Sequence, residues 1–205
     1  MNTPETQAVP ARPTLRAIGG RSNGTRNAKI GLIVLIGAVV LTLLPRAIAA
    51  VQDQWRYCRK CHVMFFNGFP NKGHCAAGGA HLAQGFNFKL THGAAETPKA
   101  QSAWRYCEKC HVMFFDGYPQ KGACAAGGGH RAQGFVFVLP HDVPPRGVVQ
   151  KDWRYCEKCH AMFFDGYPNK GRCPAMGGHT AQGFNFVLRY VGNLENDVQL
   201  NPVNE

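Results

Sequence analysis

Three stretches of this chain carry the same four metal-seeking side chains at the same spacing, C-x2-C-x13-C-x5-H. They are Cys58, Cys61, Cys75 and His81; Cys107, Cys110, Cys124 and His130; and Cys156, Cys159, Cys173 and His179. A C-x2-C pair puts two thiolates on one tight turn. A Gly-rich loop can then bring a third thiolate and an imidazole round to complete a tetrahedron, with bonds of about 2.3 Å to sulfur and about 2.0–2.1 Å to nitrogen. Four protein ligands leave no open position, so three such zinc ions would be structural. This reading uses all nine cysteines of the chain.

Two other chemistries compete for the same residues. Each knuckle also reads C-x-x-C-H, ending in His62, His111 and His160, which is the attachment signature of a c-type haem. In that case the chain would be a trihaem electron carrier, with the adjacent histidine as proximal ligand and the second histidine, or Met64, Met113 or Met162, as distal ligand. The third cysteine of every copy is then left without a role. Disulfides are the remaining possibility for an exported Cys-rich chain, but three cysteines cannot pair within a copy, nor nine within the chain. Redox-labile mixtures of metal and disulfide belong to this last class, and metal or redox buffering by exposed thiolates is a separate functional alternative.

The ligands lie in a repeated unit, W-R-Y-C-x-K-C-H-x-M-F-F-x-G-[FY]-P-x-K-G-x-C, starting at Trp55, Trp104 and Trp153, a period of 49 residues. The units hold every aromatic residue except Tyr190. W-R-Y-C alternates side chains as a strand does, M-F-F resumes an apolar run, and Q-G-F-x-F closes as a third strand. Asn67-Gly68, Asp116-Gly117 and Asp165-Gly166 mark turns between them. The fold class expected is mainly β, as three small metal-stapled, zinc-ribbon-like β modules in tandem. The alternative is one pseudo-threefold β domain such as a β-trefoil. Units of this size do not usually fold on an apolar core alone, and a metal supplies the missing staple. His74, His92 and His141 do not recur as histidine in all three copies and read as surface residues.

The units resemble tandem W-x-x-C-x-x-C-x-x-[LM]-F-F modules with a later C-x-A-G-G-x-H, found in exported, mostly uncharacterised bacterial proteins and sometimes appended to hydrolases. The resemblance runs from Trp55 to about Leu188, and its specific part is the Cys, Cys, Cys, His skeleton. In such modules the residue after the second cysteine is often glutamine, which would make His62, His111 and His160 incidental. This chain departs from the pattern at Ala80, where Gly is usual, and at Met176 in the Gly-rich loop.

The elements around the units concern delivery. Residues 1–50 pair a basic polar segment with the apolar run Ile30 to Leu44 and a small-residue stretch after Pro45. This reads as a cleaved export signal, with an N-terminal membrane anchor as the alternative, and either puts the repeats in the periplasm, on the cell surface or outside the cell. The repeats then divide as 51–98, 99–147 and 148–190, and residues 191–205, polar and Asn-rich, read as a disordered tail. From Val51 onward there are 17 Lys/Arg against 11 Asp/Glu, a net charge of +6. The excess is spread over a solvated face, or favours an anionic envelope polymer. Export argues against a nucleic-acid partner. No recurrent Ser/His/Asp set, acid pair or phosphate loop points to an enzyme, and the expected role is a non-catalytic, multivalent binding or interaction protein whose ligand is an envelope polymer or protein.

Overall fold

The computed structural model describes residues 49–191. The signal or anchor expected over residues 1–50 falls almost wholly outside these residues, as do residues 192–205. Each copy contributes three antiparallel strands in the order the sequence predicts. The first copy has β1 (Ala50–Cys58), β2 (Met64–Phe66) and β3 (Ala83–His92); the second β4 (Ala100–Cys107), β5 (Met113–Phe115) and β6 (Ala132–Pro140); the third β7 (Val149–Cys156), β8 (Met162–Phe164) and β9 (Ala181–Val191). Within each copy the long first strand pairs with both others: Arg56 lies opposite Phe65 and Asn87, and Arg105 and Arg154 repeat the register.

The copies are not separate beads. They form a pseudo-threefold β domain, nearly closed and barrel-like, the second of the two architectures the sequence allowed. At one end the short strands meet in a cycle, with bridges Phe65 to Val112, Phe114 to Ala161 and Val63 to Phe163. Phe66 N–H donates to His111 O at 2.9 Å, Phe115 N–H to His160 O at 3.0 Å and Phe164 N–H to His62 O at 2.9 Å, which closes that ring. At the other end the closing strands cycle in the same way: His92 pairs with Phe137, His141 with Phe186, and Tyr190 with Phe88. The last of these places Tyr190 and Val191 inside β9.

Residue alternation on the strands sorts the apolar side chains into two layers. In M-F-F, Phe65, Phe114 and Phe163 join all nine cysteines in one buried cluster, while Met64, Met113 and Met162 join the three tryptophans in the other. Every tryptophan is fully buried against a ring from another copy: Trp55 on Phe137 at 5.2 Å, Trp104 on Phe186 at 5.0 Å and Trp153 on Phe88 at 5.1 Å. This explains why closure wins over separation. A single copy has too little surface to enclose its own rings, and the neighbour supplies the other wall. Each indole N–H donates to a glutamine three residues earlier, Gln52, Gln101 or Gln150, at 3.0–3.1 Å, as a buried indole requires.

A β-bulge recurs before each tryptophan, with Gln54, Ala103 and Asp152 in the left-handed region at φ 67°, 63° and 68°. The extra residue bends the strand into the turn of the barrel. A second close fit lies between copies. A Cβ at Gly73, Gly122 or Gly171 would fall on the carbonyl oxygen of Cys110, Cys159 or Cys61, and these glycines also have φ of 67°, 62° and 65°. Only glycine lets the P-x-K-G segment lie against the next knuckle.

Candidate metal centre

The three Cys3His sets predicted from spacing are three real clusters. In each, the four donor atoms lie within 4.8 Å of one another and all four residues are buried. Cys58 Sγ is 3.9 Å from Cys75 Sγ, and Cys61 Sγ is 3.5 Å from His81 Nδ1. The second copy gives 4.0 and 3.4 Å, and the third 4.0 and 3.4 Å. A tetrahedron with bonds of about 2.3 Å to sulfur and 2.0–2.1 Å to nitrogen has edges of about 3.8 Å and 3.5 Å. The donors stand at that spacing, so they fit an ion of zinc's size and geometry.

The knuckle is held by its own backbone: His62 N–H returns to Cys58 O at 2.8 Å, and Cys58 N–H bonds to Val63 O at 3.0 Å. The turn puts His62, His111 and His160 in the left-handed region, at φ 67°, 68° and 63°. The lysine inside each knuckle spans to the Gly-rich loop that carries the third cysteine. Lys60 Nζ donates to the carbonyls of Gly78 and Ala80, Lys109 to Gly127 and Gly129, and Lys158 to Met176 and Gly178. A second lysine per copy closes the preceding turn. Lys72 donates to Asn67 O and Phe69 O, while Lys121 and Lys170 also pair with Asp116 and Asp165 at 2.8 Å. Arg56 likewise reaches Gly85 O at 2.7 Å. Much of the recurrent positive charge thus serves backbone carbonyls of its own copy.

Each histidine ligand is oriented by the next copy. His81 Nε2–H donates to Cys110 O at 3.1 Å, His130 Nε2–H to Cys159 O at 3.0 Å and His179 Nε2–H to Cys61 O at 3.1 Å. This hydrogen bond fixes the tautomer, leaving the Nδ1 lone pair for a metal. The carbonyls belong to cysteines of the neighbouring cluster, so the three sites form a closed cycle. Phe65, Phe114 and Phe163 stack on these imidazoles at 4.7–4.8 Å and set the ring planes.

The electrostatics favour a thiolate in each cluster. Hydrogen bonds from the Cys61 and Cys75 thiols pull Cys58 far below the ordinary thiol value, and the corresponding bonds hold Cys61 well above it. Burial lowers the His81 pKa, but hydrogen bonds to Cys58 and Cys75 outweigh it and bring the imidazole up to about 9. Cys107, Cys110 and His130, and Cys156, Cys159 and His179, repeat the pattern.

The rival chemistries find no support. All nine cysteines are free, and Cys58 and Cys75 stand 3.9 Å apart, nearly twice a disulfide bond length of about 2.05 Å. Both knuckle thiols turn into the cluster, so neither is offered to a haem vinyl group. His62 turns the other way, against Tyr57 at 5.4 Å and Tyr167 of the third copy at 6.1 Å. Met64, Met113 and Met162 lie in the tryptophan layer. His74 is exposed, as expected, but His92 is half-buried and His141 is buried at 4% exposure. Their positions do recur as planar rings, 92, 141 and 190, the last a tyrosine. Comparing residue classes instead of identities would have revealed this, just as Gln52, Gln101 and Gln150 were legible at the 49-residue period.

No family model, no curated protein and no solved structure matches this chain. Its class therefore rests on its own geometry: a mainly β repeat protein with three Cys3His metal-binding sites.

Proposed function

We propose that the protein is an exported, non-catalytic, multivalent binding protein of the cell envelope, with three structural zinc ions as its fold staples. The observation that carries this is the closed cycle of buried Cys3His clusters, in which each histidine is set by the neighbouring site. Four protein donors per ion supply a complete shell, leaving no place for a substrate or activated water, which favours a structural metal over a catalytic one. Burial of every thiol argues against a buffering role, since exchange needs accessible sulfur. A threefold scaffold displays any surface feature three times, and repeated weak sites gain affinity through effective concentration. The N-terminal segment would deliver the domain outside the cytoplasm or anchor it to the membrane.

The test is elemental analysis with a visible spectrum on protein produced by export in a host competent for c-type haem attachment. The expected result is about three zinc atoms per chain and no Soret band. Haem at a comparable ratio, or no metal in a folded chain, would overturn the assignment.

A further inference from the structure

The domain carries a concave feature that metal binding does not explain. Between the first and second copies lies a groove of about 150 Å³, lined by Phe66, Phe69 and Gln52 on one side and by Tyr106, Gln133 and Phe135 on the other. Phe69 and Phe135 are 47% and 48% exposed, an unusual position for phenylalanine. Neither ring is loose. Phe69 is braced edge-on by Phe66 at 5.1 Å and by Tyr106 at 6.1 Å. Phe135 lies flat on His92 at 3.8 Å, with an interplanar angle of 13°.

The arrangement recurs. Tyr118 meets Tyr155 at 6.2 Å, and Phe184 lies flat on His141 at 3.7 Å; Tyr167 meets Tyr57 at 6.3 Å, and Phe86 lies flat on Tyr190 at 3.8 Å. The rings at 92, 141 and 190 thus share one task, which is to back an aromatic platform from beneath. Phe69, Tyr118 and Tyr167 are exposed at the three junctions, and the stacked ring beside them is exposed at Phe135 and Phe184 and half-buried at Phe86; supported surface rings repeated in this way mark an interaction surface.

The lining also specifies the chemistry of the occupant. Among the described residues no charged side chain lines the groove, although the chain is strongly basic; the nearby cation Arg105 is turned onto Gly134 O at 3.2 Å, so the walls themselves favour an uncharged ligand. Alongside the ring faces stand a phenol and two carboxamides. Gln52 uses its Oε1 on Trp55, which leaves its NH2 to donate. A ligand matching this set is uncharged, has a flat apolar C–H face for the rings and carries hydroxyls for the amides and phenol. A pyranose ring has these properties, and apolar walls with a few convergent polar groups are the usual make-up of such a site.

We propose that this groove and its two counterparts each bind a pyranose unit of a neutral saccharide. The proposal rests on the multivalent-binding reading above and supplies its ligand class.

The test uses isothermal titration of the zinc-loaded full chain with soluble β-1,4-linked tetramers of glucose and of N-acetylglucosamine. Saturable binding at three sites per chain is expected, falling to two in Phe135→Ser and to none in the triple variant Phe86→Ser, Phe135→Ser and Phe184→Ser. Zinc content should be unchanged, since these rings touch no metal ligand, and circular dichroism checks that the fold survives the loss of Phe86, which packs against the tryptophan layer. Tyr106→Phe, which removes only a hydroxyl, should weaken one site about tenfold, the equivalent of one good hydrogen bond. Binding of neither tetramer, or binding that survives in the triple variant, overturns the proposal. Cosedimentation with isolated bacterial sacculi separates the two levels. A chain that sediments while binding neither tetramer keeps the envelope role and loses the saccharide grooves; a chain that does neither loses both.

Discussion

Replacing Gly122 with alanine tests whether the copies are locked through their metal sites. Two costs arise. The first is conformational: Gly122 has φ +62°, where a Cβ costs about 1–2 kcal/mol. The second is contact, because the new Cβ falls on the Cys159 carbonyl oxygen, 2.5 Å from its carbon and 2.7 Å from His160 Cγ. Backbone of the third copy would have to move, and forced overpacking of this kind costs about 1–3 kcal/mol. The carbonyl that moves accepts the His130 Nε2–H hydrogen bond at 3.0 Å, whose loss adds about 0.5–1.5 kcal/mol. Gly134→Ala is the matched control, since Gly134 has φ +71° and open space around its Cβ position. In urea unfolding of the zinc-loaded protein, followed by tryptophan fluorescence, Gly134→Ala should cost about 1–2 kcal/mol. Gly122→Ala should cost about 2–4 kcal/mol more, from contact and lost hydrogen bond together. A chromophoric chelator should also draw zinc faster from two sites, the one held by His130 and the one held by Cys159. Equal stability of the two variants within about 0.5 kcal/mol, with unchanged zinc release, would refute the coupling between copies.

Three further outcomes follow from the same geometry. His111→Gln should retain three zinc atoms per chain by elemental analysis, because His111 faces Phe69 and Tyr106 and contributes no donor to the clusters. Lys109→Met should cost about 1 kcal/mol in chemical unfolding, the worth of solvent-exposed hydrogen bonds from a charged donor to Gly127 O and Gly129 O. Acid should release the metal, since the bound form needs deprotonated sulfur. The folded-state thiol values of Cys58, Cys107 and Cys156 lie far below the ordinary 9.0, so their contribution is complete above 9.0 and is lost as pH falls. Zinc retained per chain after dialysis from pH 8 down to pH 4 measures this; release should follow protonation of Cys61, Cys110 and Cys159, whose thiols stand well above the ordinary value, and full retention at the acid end would contradict their place in the ligand set.

The spacing C-x2-C-x13-C-x5-H was sufficient to find all twelve clustered side chains, because each site is built within one copy from a tight knuckle and one loop. The strands were legible for the same local reason: alternation in W-R-Y-C and M-F-F sets which face each residue takes. Local sequence was less informative about residues whose role depends on a partner in another copy. His141 is a histidine without an identical counterpart in every repeat, yet it is buried because Phe184 stacks on it. The P-x-K-G glycine reads as one more turn residue, while its real constraint is the carbonyl of the next knuckle.

Composition and pattern thus determined the ligands, the strand content and the repetition, all of which follow from bonds and side-chain directions over short separations. Tertiary structure decided between three beads and one ring. Each tryptophan has one wall from its own copy, at Phe66, Phe115 or Phe164, and the other from a neighbouring copy, and the Nε2–H of each histidine ligand finds its acceptor in the neighbour too. That choice depends on how much apolar surface a copy of this size leaves uncovered and on which neighbour can cover it, both properties of the assembled ring.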